Sequence, residues 1–334
     1  MHIAISRRAF GVLALSAGLA LAAGSVMAAA PHKIRISSPA VDTDWHAKQL
    51  FVFKDKLNEL LPGQFDVEIH LNGVLFKQGA EPVAMQRGNL EMAMISAFDI
   101  SKQIPEWSIF TAGYLLRDPD HQAKVFGGDI GKEMYKLVED KMDLHVLSVA
   151  YLGTRQLNLR TEKEIKTPAD LAGVKLRMPT SDTWQFLGKA LGANPLPLAF
   201  GEIYTSLQTG VIDGQENPLP TDKAAKFYEV TKQIVLTNHL VDAIFLTIAK
   251  KAWDSYAPEQ RKAIDTAIAA AAKFNNENRI KDEQELLAFF KSQGLKVYAP
   301  DQDAFRKHVQ EEYLNSEYAK VWPKGLIDRI NAVK

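Results

Sequence analysis

Apolar and polar positions along the chain predict two successive series of strands and helices. Residues 33–37 alternate with the period of two that marks a half-buried strand. A helix is predicted next, beginning near the possible caps Thr43 and Asp44. It sets Ala47, Leu50, Phe51, Leu57, Leu60 and Leu61 on one face until Pro62-Gly63 stops it. Residues 65–71 alternate strictly and predict a second strand. A short helix at 82–87 leads through Gly88 into a third strand at 90–96. Helical spacing at 121–126 and 131–141 precedes a strand pattern at 144–151. After Gly153-Thr154-Arg155 the pattern restarts, with strands at 156–160 and 174–178 and a short helix opened by Thr167-Pro168-Ala169-Asp170 between them. Helices follow at 183–191 and 202–208, with extended segments at 195–199 and 211–216. Such alternation is α/β, and the second series argues for a second lobe beginning near Gly153. Without a Gly/Ser-rich or Pro-rich linker there, any hinge has to consist of a few strand residues. Residues 259–293 read as one helix, with two helices broken near Asn275-Asn276 as the alternative, preceded by Pro258 and ended by Gly294. At 1.5 Å per residue it extends roughly 50 Å, long enough to brace both lobes.

Composition narrows the function classes. The 334 residues are 46% apolar and 24% charged, an ordinary globular balance long enough for about two domains. Forty basic residues offset forty acidic ones, so there is no surplus for nucleic acid and none is expected as a partner. The absence of cysteine excludes disulfides, thiolate metal sites and thiol nucleophiles together. At the N-terminus, Arg7 and Arg8 precede an apolar stretch at 11–26 and the small residues Val26-Met27-Ala28-Ala29-Ala30, the layout of an export signal. Its sixteen apolar positions fall short of the roughly 20 that span a bilayer. We therefore expect a signal peptide at 1–28, cut after Ala28 or Ala29, and a soluble mature chain in the periplasm. Ser6-Arg7-Arg8-Ala9-Phe10 also resembles the twin-arginine signature, with an ordinary secretory signal as the alternative. Removing the signal leaves 38 basic and 40 acidic residues, net −2.

Several catalytic constellations are missing. The eight histidines, at 2, 32, 46, 70, 121, 145, 239 and 308, never come within five residues of one another, so no i, i+4 metal helix exists. No Gly-x-Ser-x-Gly elbow occurs. Gly127-Gly128-Asp129-Ile130-Gly131-Lys132 has the composition of a phosphate loop with the wrong glycine spacing, so it reads as a turn between helices. The acidic pair Asp118/Asp120 reads as solvated surface. No metal or cofactor is expected.

Residues 153–220 carry more. Arg177 lies in an apolar strand that stops at Pro179, so its side chain leaves a strand near its end, where open α/β sheets border their ligand crevice. A guanidinium there matches a carboxylate with two parallel hydrogen bonds. On these residues alone, a surface arginine or a salt bridge remains the alternative.

The motifs themselves, however, closely resemble the substrate-binding proteins of tripartite ATP-independent periplasmic (TRAP) transporters, of the DctP type. They are Gly-Thr-Arg at 153–155, Asp-Leu-Ala-Gly-Val-Lys-Leu-Arg-Met-Pro at 170–179, Glu-Ile-Tyr-Thr-Ser-Leu-Gln-Thr-Gly at 202–210 and Asp-Gly-Gln-Glu-Asn-Pro at 213–218. The resemblance implies a two-lobed periplasmic binding protein, type II-like, with interleaved lobes: 31–152 plus 243–282, and 153–242 plus 283–334. It also implies a role for particular residues. Arg177 matches the arginine that clamps the ligand carboxylate, Arg155 a second arginine on the same carboxylate, and Asn217 an asparagine donating an amide hydrogen bond to it. Phe200 matches an aromatic wall in the sialic-acid-binding member. Arg155 and Arg177 together would make the site locally cationic. Where sialic-acid binders place a polar, charged set, this chain has Gln78, Ser96 and Asp99, with Trp45, Phe76 and Phe98 nearby. Sialic acid itself is therefore not the expected ligand. Sugar acids, smaller hydroxy acids and aromatic or cyclic carboxylates remain. The metal-assisted keto-acid branch carries a different motif where 213–217 stands, so no bound cation is expected.

The expected function is capture of an organic carboxylate and its delivery to the membrane subunits of a TRAP transporter, by a monomer without enzymatic activity. Two other readings use the same residues: a sensory binding protein presenting ligand to a receptor, and an exported enzyme acting on acidic sugars. The second needs a poised general acid or base, for which the sequence offers no arranged candidate.

Overall fold

The computed structural model describes residues 30–334. The expected signal peptide at 1–28 and both expected cleavage points lie outside the described residues. One nine-stranded sheet runs through the described chain. Its strands are β1 (His32–Ser37), β2 (Phe65–His70), β3 (Met92–Ser96), β4 (Leu144–Leu159), β5 (Lys175–Met178), β6 (Asn194–Pro197), β7 (Gly214–Pro218), β8 (Gln233–Ala249) and β9 (Lys296–Tyr298). In space they follow the order β2-β1-β3-β8-β4-β7-β5-β6, with β9 beside β8. β2, β1 and β3 are parallel to one another, as are β7, β5 and β6. The two parallel groups are joined by the antiparallel pair β4 and β8.

Those two long strands are where the structure departs most from the predicted elements. Residues 144–151 and 156–160 form a single strand, kept continuous through 152–155 by pairing with β8 from Leu144↔Ala249 to Leu159↔Gln233. The pairing shifts register three times, once between Tyr151 and Gly153. Gly153 has φ 131°, and a Cβ there would meet Pro218 Cβ at 2.5 Å and Glu283 Oε1 at 2.6 Å. A glycine is required at the point where the strand passes from one half of the sheet to the other. β8 itself is absent from the predicted elements. Nearly all of its residues are buried on both faces, so no alternation announces it.

The helices follow the pattern more closely. Asp44 caps the helix Trp45–Leu60, its side chain accepting the His46 N–H at 2.9 Å. That helix buries Ala47, Leu50, Phe53 and Leu57, whereas Phe51 and Leu60 are exposed. The buried stripe runs at i, i+3 through Phe53, which rotates Phe51 off the face predicted for it. Between the helices Pro119–Gly127 and Asp129–Met142 the turn predicted over 127–132 is reduced to Gly128 alone.

The helix Pro258–Ser292 is unbroken over 35 residues. Its first part packs Ile264, Ala267 and Ile268 against Ile34, Leu50 and Phe53. Its last part packs Leu286 and Phe290 against Leu219 and Ile234. Between them the buried Asn275 and Arg279 donate to the Tyr151 and Leu152 carbonyls at 3.0 and 2.6 Å. One helix thus braces both halves and hydrogen-bonds the crossing strand. The final helix, Leu326–Ala332, returns to the first half, where Leu326 and Ile330 join the core built around Trp107, Phe126 and Phe245. That placement differs from the expected grouping of 283–334 with the second lobe, because Leu326 and Ile330 bury apolar surface in the first core.

Candidate functional site

Where the two halves of the sheet meet, a cavity is lined by Gln78, Ser96, Arg155, Arg177, Phe200 and Asn217, all expected at the site. Asp99 and Phe98 line it too; Phe76 packs into the first core instead. Trp45 is not brought to the cavity. It occupies the first position of its helix, donates from Nε1 to Asp282 at 2.7 Å and packs edge-on against Phe274. Its aromatic bulk serves contact with the long helix.

Arg177 comes from β5, one residue before the strand ends. It is 1% exposed. Its Nε donates to the Leu198 carbonyl at 2.9 Å and one terminal nitrogen to Gln78 Oε1 at 3.1 Å. No carboxylate pairs with it among the described residues. Burial, only partly offset by the more distant Glu216, lowers its pKa from the ordinary arginine value. A buried guanidinium that the protein leaves without a counter-charge, in the wall of a cavity, is suited to receive an anion.

Arg155 comes from β4 and is nearly as buried, but its donors are committed. Nε and one terminal nitrogen bind both oxygens of Glu216, the latter at 2.7 Å. The other terminal nitrogen binds Asp242 at 2.9 Å. The terminal nitrogen on Glu216 also donates to the Glu216 carbonyl at 2.7 Å and to Asn217 Oδ1 at 3.2 Å. Trp184 closes the cluster, donating from Nε1 to Glu216 at 3.0 Å with its ring 5.2 Å from the guanidinium carbon. His239 Nε2 adds a contact to Glu216 at 3.1 Å. Burial alone would lower the Arg155 pKa; Glu216 and then Asp242 reverse this and raise it. Burial likewise acts to raise the Glu216 carboxyl, and Arg155 more than reverses it, holding it at about 2. The expected cationic pair is therefore corrected to one available cation, Arg177. Arg155 is neutralised by two carboxylates that sequence spacing did not place beside it.

Asn217, on β7, donates to Gln215 Oε1 at 2.6 Å, so its amide is held in one orientation at the cavity wall. Gln78 reaches across from the first half, its Oε1 accepting from Arg177 and from the Phe200 N–H, each at 3.1 Å. Further bonds hold the halves together beside the cavity. Arg279, itself bound to Asp44, donates to Thr221 at 2.7 Å, and Thr43 donates to the Ala224 carbonyl at 3.1 Å. This is a closed arrangement.

Among the lining groups that sequence reasoning did not place at the site, two stand out. His46 follows the capped start of its helix; Glu81 opens the short helix Glu81–Gln86, where an acid reads as an ordinary helix start. Each lines the cavity and each keeps a buried polar atom without a partner, His46 Nε2 and Glu81 Oε1. No spacing signal marks them, because the cavity assembles them from separate elements. Among the described residues, no group of three or more His, Asp or Glu is arranged to hold a metal ion, and no helix is long and apolar enough to cross a membrane.

Comparison with known proteins agrees with this geometry. The model of the family described as "Bacterial extracellular solute-binding protein, family 7" (DctP) matches residues 37–320. The sialic acid-binding periplasmic protein SiaP of Vibrio cholerae serotype O1 is 29% identical over 309 residues, covering 92% of this chain and 94% of that protein. A TRAP periplasmic solute binding protein from Roseobacter denitrificans, solved with bound 3-deoxy-D-manno-oct-2-ulosonic acid, is 48% identical. Its TM-score is 0.88, over 91% of this chain and 100% of that one. Another, from Sulfurospirillum deleyianum with bound succinate, is 28% identical with a TM-score of 0.84, over 91% of this chain and 100% of that one.

Proposed function

The chain belongs to the bacterial extracellular solute-binding proteins of family 7, and from that premise we propose that it captures a sugar acid by its carboxylate and hands it to the membrane subunits of a TRAP transporter. The observation that carries this reading is Arg177, buried in the cavity wall with no carboxylate partner among the described residues. Its free edge forms the bidentate bond to the ligand carboxylate, and the fixed amide of Asn217 adds a donor. Phe200 supplies an apolar wall. Arg155 acts indirectly, holding Glu216 and Asn217 in place. A ligand the size of 3-deoxy-D-manno-oct-2-ulosonic acid, carried by the 48% identical Roseobacter denitrificans protein, is the first to test.

Residues 31–152 plus 243–282 act as one lobe and 153–242 plus 283–334 as the other, with the helix Leu326–Ala332 counted with the first because of its packing. Ligand stabilises the closed state by binding groups from both lobes, with bending at Gly153 and the neighbouring register shifts. The protein works as a monomer without turnover, exported to the periplasm by its first 28 residues.

Calorimetric titration of the mature protein with 3-deoxy-D-manno-oct-2-ulosonate, galactonate and succinate tests this. We expect stoichiometric binding of at least one acid with the ligand recovered unchanged. A ligand at 100 times its Kd adds about 2.7 kcal/mol of stability, readily seen as a thermal shift. Binding that persists at full strength in Arg177→Ala rejects the clamp.

A further inference from the structure

The cavity wall built from residues 38–99 differs in character from the Arg177 wall. It holds Glu81 and Asp99, 1% and 4% exposed, together with His46 and Ser96. Gly79 fixes their spacing. Its N–H donates to Glu81 Oε2 at 2.7 Å, and a Cβ at 79 would meet Lys102 Nζ at 2.8 Å and Asp99 Oδ1 at 3.2 Å. The same loop carries Gln78, which touches Arg177. One short segment, residues 78–81, therefore touches both the acidic wall and Arg177.

Two polar atoms of this wall lack partners despite burial. Glu81 uses Oε2 on Gly79 and leaves Oε1 unbonded; His46 receives the Gln49 amide at Nδ1, 3.0 Å away, and leaves Nε2 unbonded. An amide nitrogen only donates, so the neutral ring carries its proton on Nε2. Burial lowers the His46 pKa to about 3, so the ring stays neutral. Burial and then Asp99 raise the Glu81 carboxyl to about 8, so near neutral pH it both donates and accepts. A buried polar atom without a partner is costly, and the ligand group that can answer a donor and a donor-acceptor in the wall of one cavity is a hydroxyl. A second carboxylate finds no free cation here. Lys102 already lies 3.4 Å from Asp99, and Arg279 is bound to Asp44.

We propose that Glu81 and His46 are the specificity-determining residues of this cavity: they bind hydroxyls on the part of a sugar acid remote from its carboxylate, and with Asp99 they disfavour ligands carrying a second carboxylate. The proposal rests on Arg177 holding the carboxylate, and its test separates the two.

Affinities of the mature protein for 3-deoxy-D-manno-oct-2-ulosonate, galactonate and succinate are measured by calorimetry for wild type, Glu81→Ala, Glu81→Gln and His46→Gln. Wild type is expected to bind the tighter sugar acid about 100-fold or more over succinate, as sites built to hydrogen-bond hydroxyls do. Glu81→Ala should shrink that ratio about tenfold by weakening the sugar acid alone, the size of one lost hydrogen bond. His46→Gln should do the same to a smaller degree. If Glu81→Ala does not fold, the near-isosteric Glu81→Gln replaces it above pH 8, where the wild-type carboxyl is ionised, with a gain in succinate affinity over wild type expected there. Succinate binding as tightly as the sugar acids in wild type overturns the proposal and leaves the carboxylate clamp standing. So does an unchanged ratio in the folded Glu81 and His46 variants, or an equal loss for all three acids. Failure of wild type to bind any of the three removes the carboxylate reading and this proposal with it.

Discussion

Arg155 and Arg177 stand on β4 and β5 with only β7 between them, both almost wholly buried and both lining one cavity. Their surroundings give them opposite tasks. Arg155 is held by Glu216 and Asp242, with Trp184 against Glu216, so nearly all its hydrogen-bonding capacity is used inside the protein. Arg177 is given a backbone carbonyl and a glutamine oxygen, both neutral. Equal burial with unequal compensation separates a structural ion cluster from a binding group. An uncompensated buried charge weakens the ligand-free fold and strengthens the hold on an anion that neutralises it.

The comparison can be broken most directly at Arg155. Arg155→Ala leaves Glu216 and Asp242 buried without their partner and should lower stability by about 3–5 kcal/mol in denaturant titration. A variant with wild-type stability and only a binding defect would put the two arginines in the same class. Arg177→Ala should show the reverse. Affinity for the carboxylate should fall by about 2–5 kcal/mol, roughly 30- to several thousand-fold, while ligand-free stability holds or rises. Loss of folding in this variant would contradict the assignment. Arg177→Lys should also bind clearly worse, because an ammonium lacks the planar fork.

The pH dependence extends the contrast to Glu81, another poorly compensated cavity group. Its folded pKa of about 8 lies above the ordinary 4.5. Its contribution to stability is therefore fully present below about 4.5 and is lost as pH rises through 8. Glu81→Gln should be more stable than wild type at pH 8 and level with it near pH 4, with a slope of up to about 1.4 kcal/mol per pH unit between. Equal pH profiles for the two proteins would remove Glu81 from the uncompensated set. The smallest effect is expected at Gln78. Gln78→Ala removes an acceptor for Arg177 and for the Phe200 N–H, and should weaken ligand binding by about 1.5 kcal/mol, near tenfold.

Much of the set that lines the cavity was legible because local pattern and chemistry coincide there. Arg177 sits in an apolar strand just before a proline, and its neighbours make the same strand end in space. The Asp44 cap and the long helix are likewise local: capping, spacing and the Pro258 and Gly294 boundaries suffice. The division of labour between the arginines was not legible, because Glu216 and Asp242 lie 61 and 87 residues from Arg155 and meet it through sheet pairing alone. Trp45 misled for the same reason in reverse. It lies near the expected wall in sequence, yet its nearest bonding partner, Asp282, is on the long helix. His46 and Glu81 gave no warning because each looks like an ordinary helix-start residue until a cavity forms beside it.

The sequence by itself determined the α/β class, most of the short elements, and the arginine that ends up buried in the cavity wall. Periodicity, capping and an arginine at a strand end are properties of a few neighbouring residues. Only the tertiary structure decided that 144–159 is one strand, that β8 pairs along it, and that one arginine is neutralised while the other is left for a ligand. Those outcomes depend on which distant groups come into contact in a low-dielectric interior. There a carboxylate a few ångströms away decides whether a charge is spent or available.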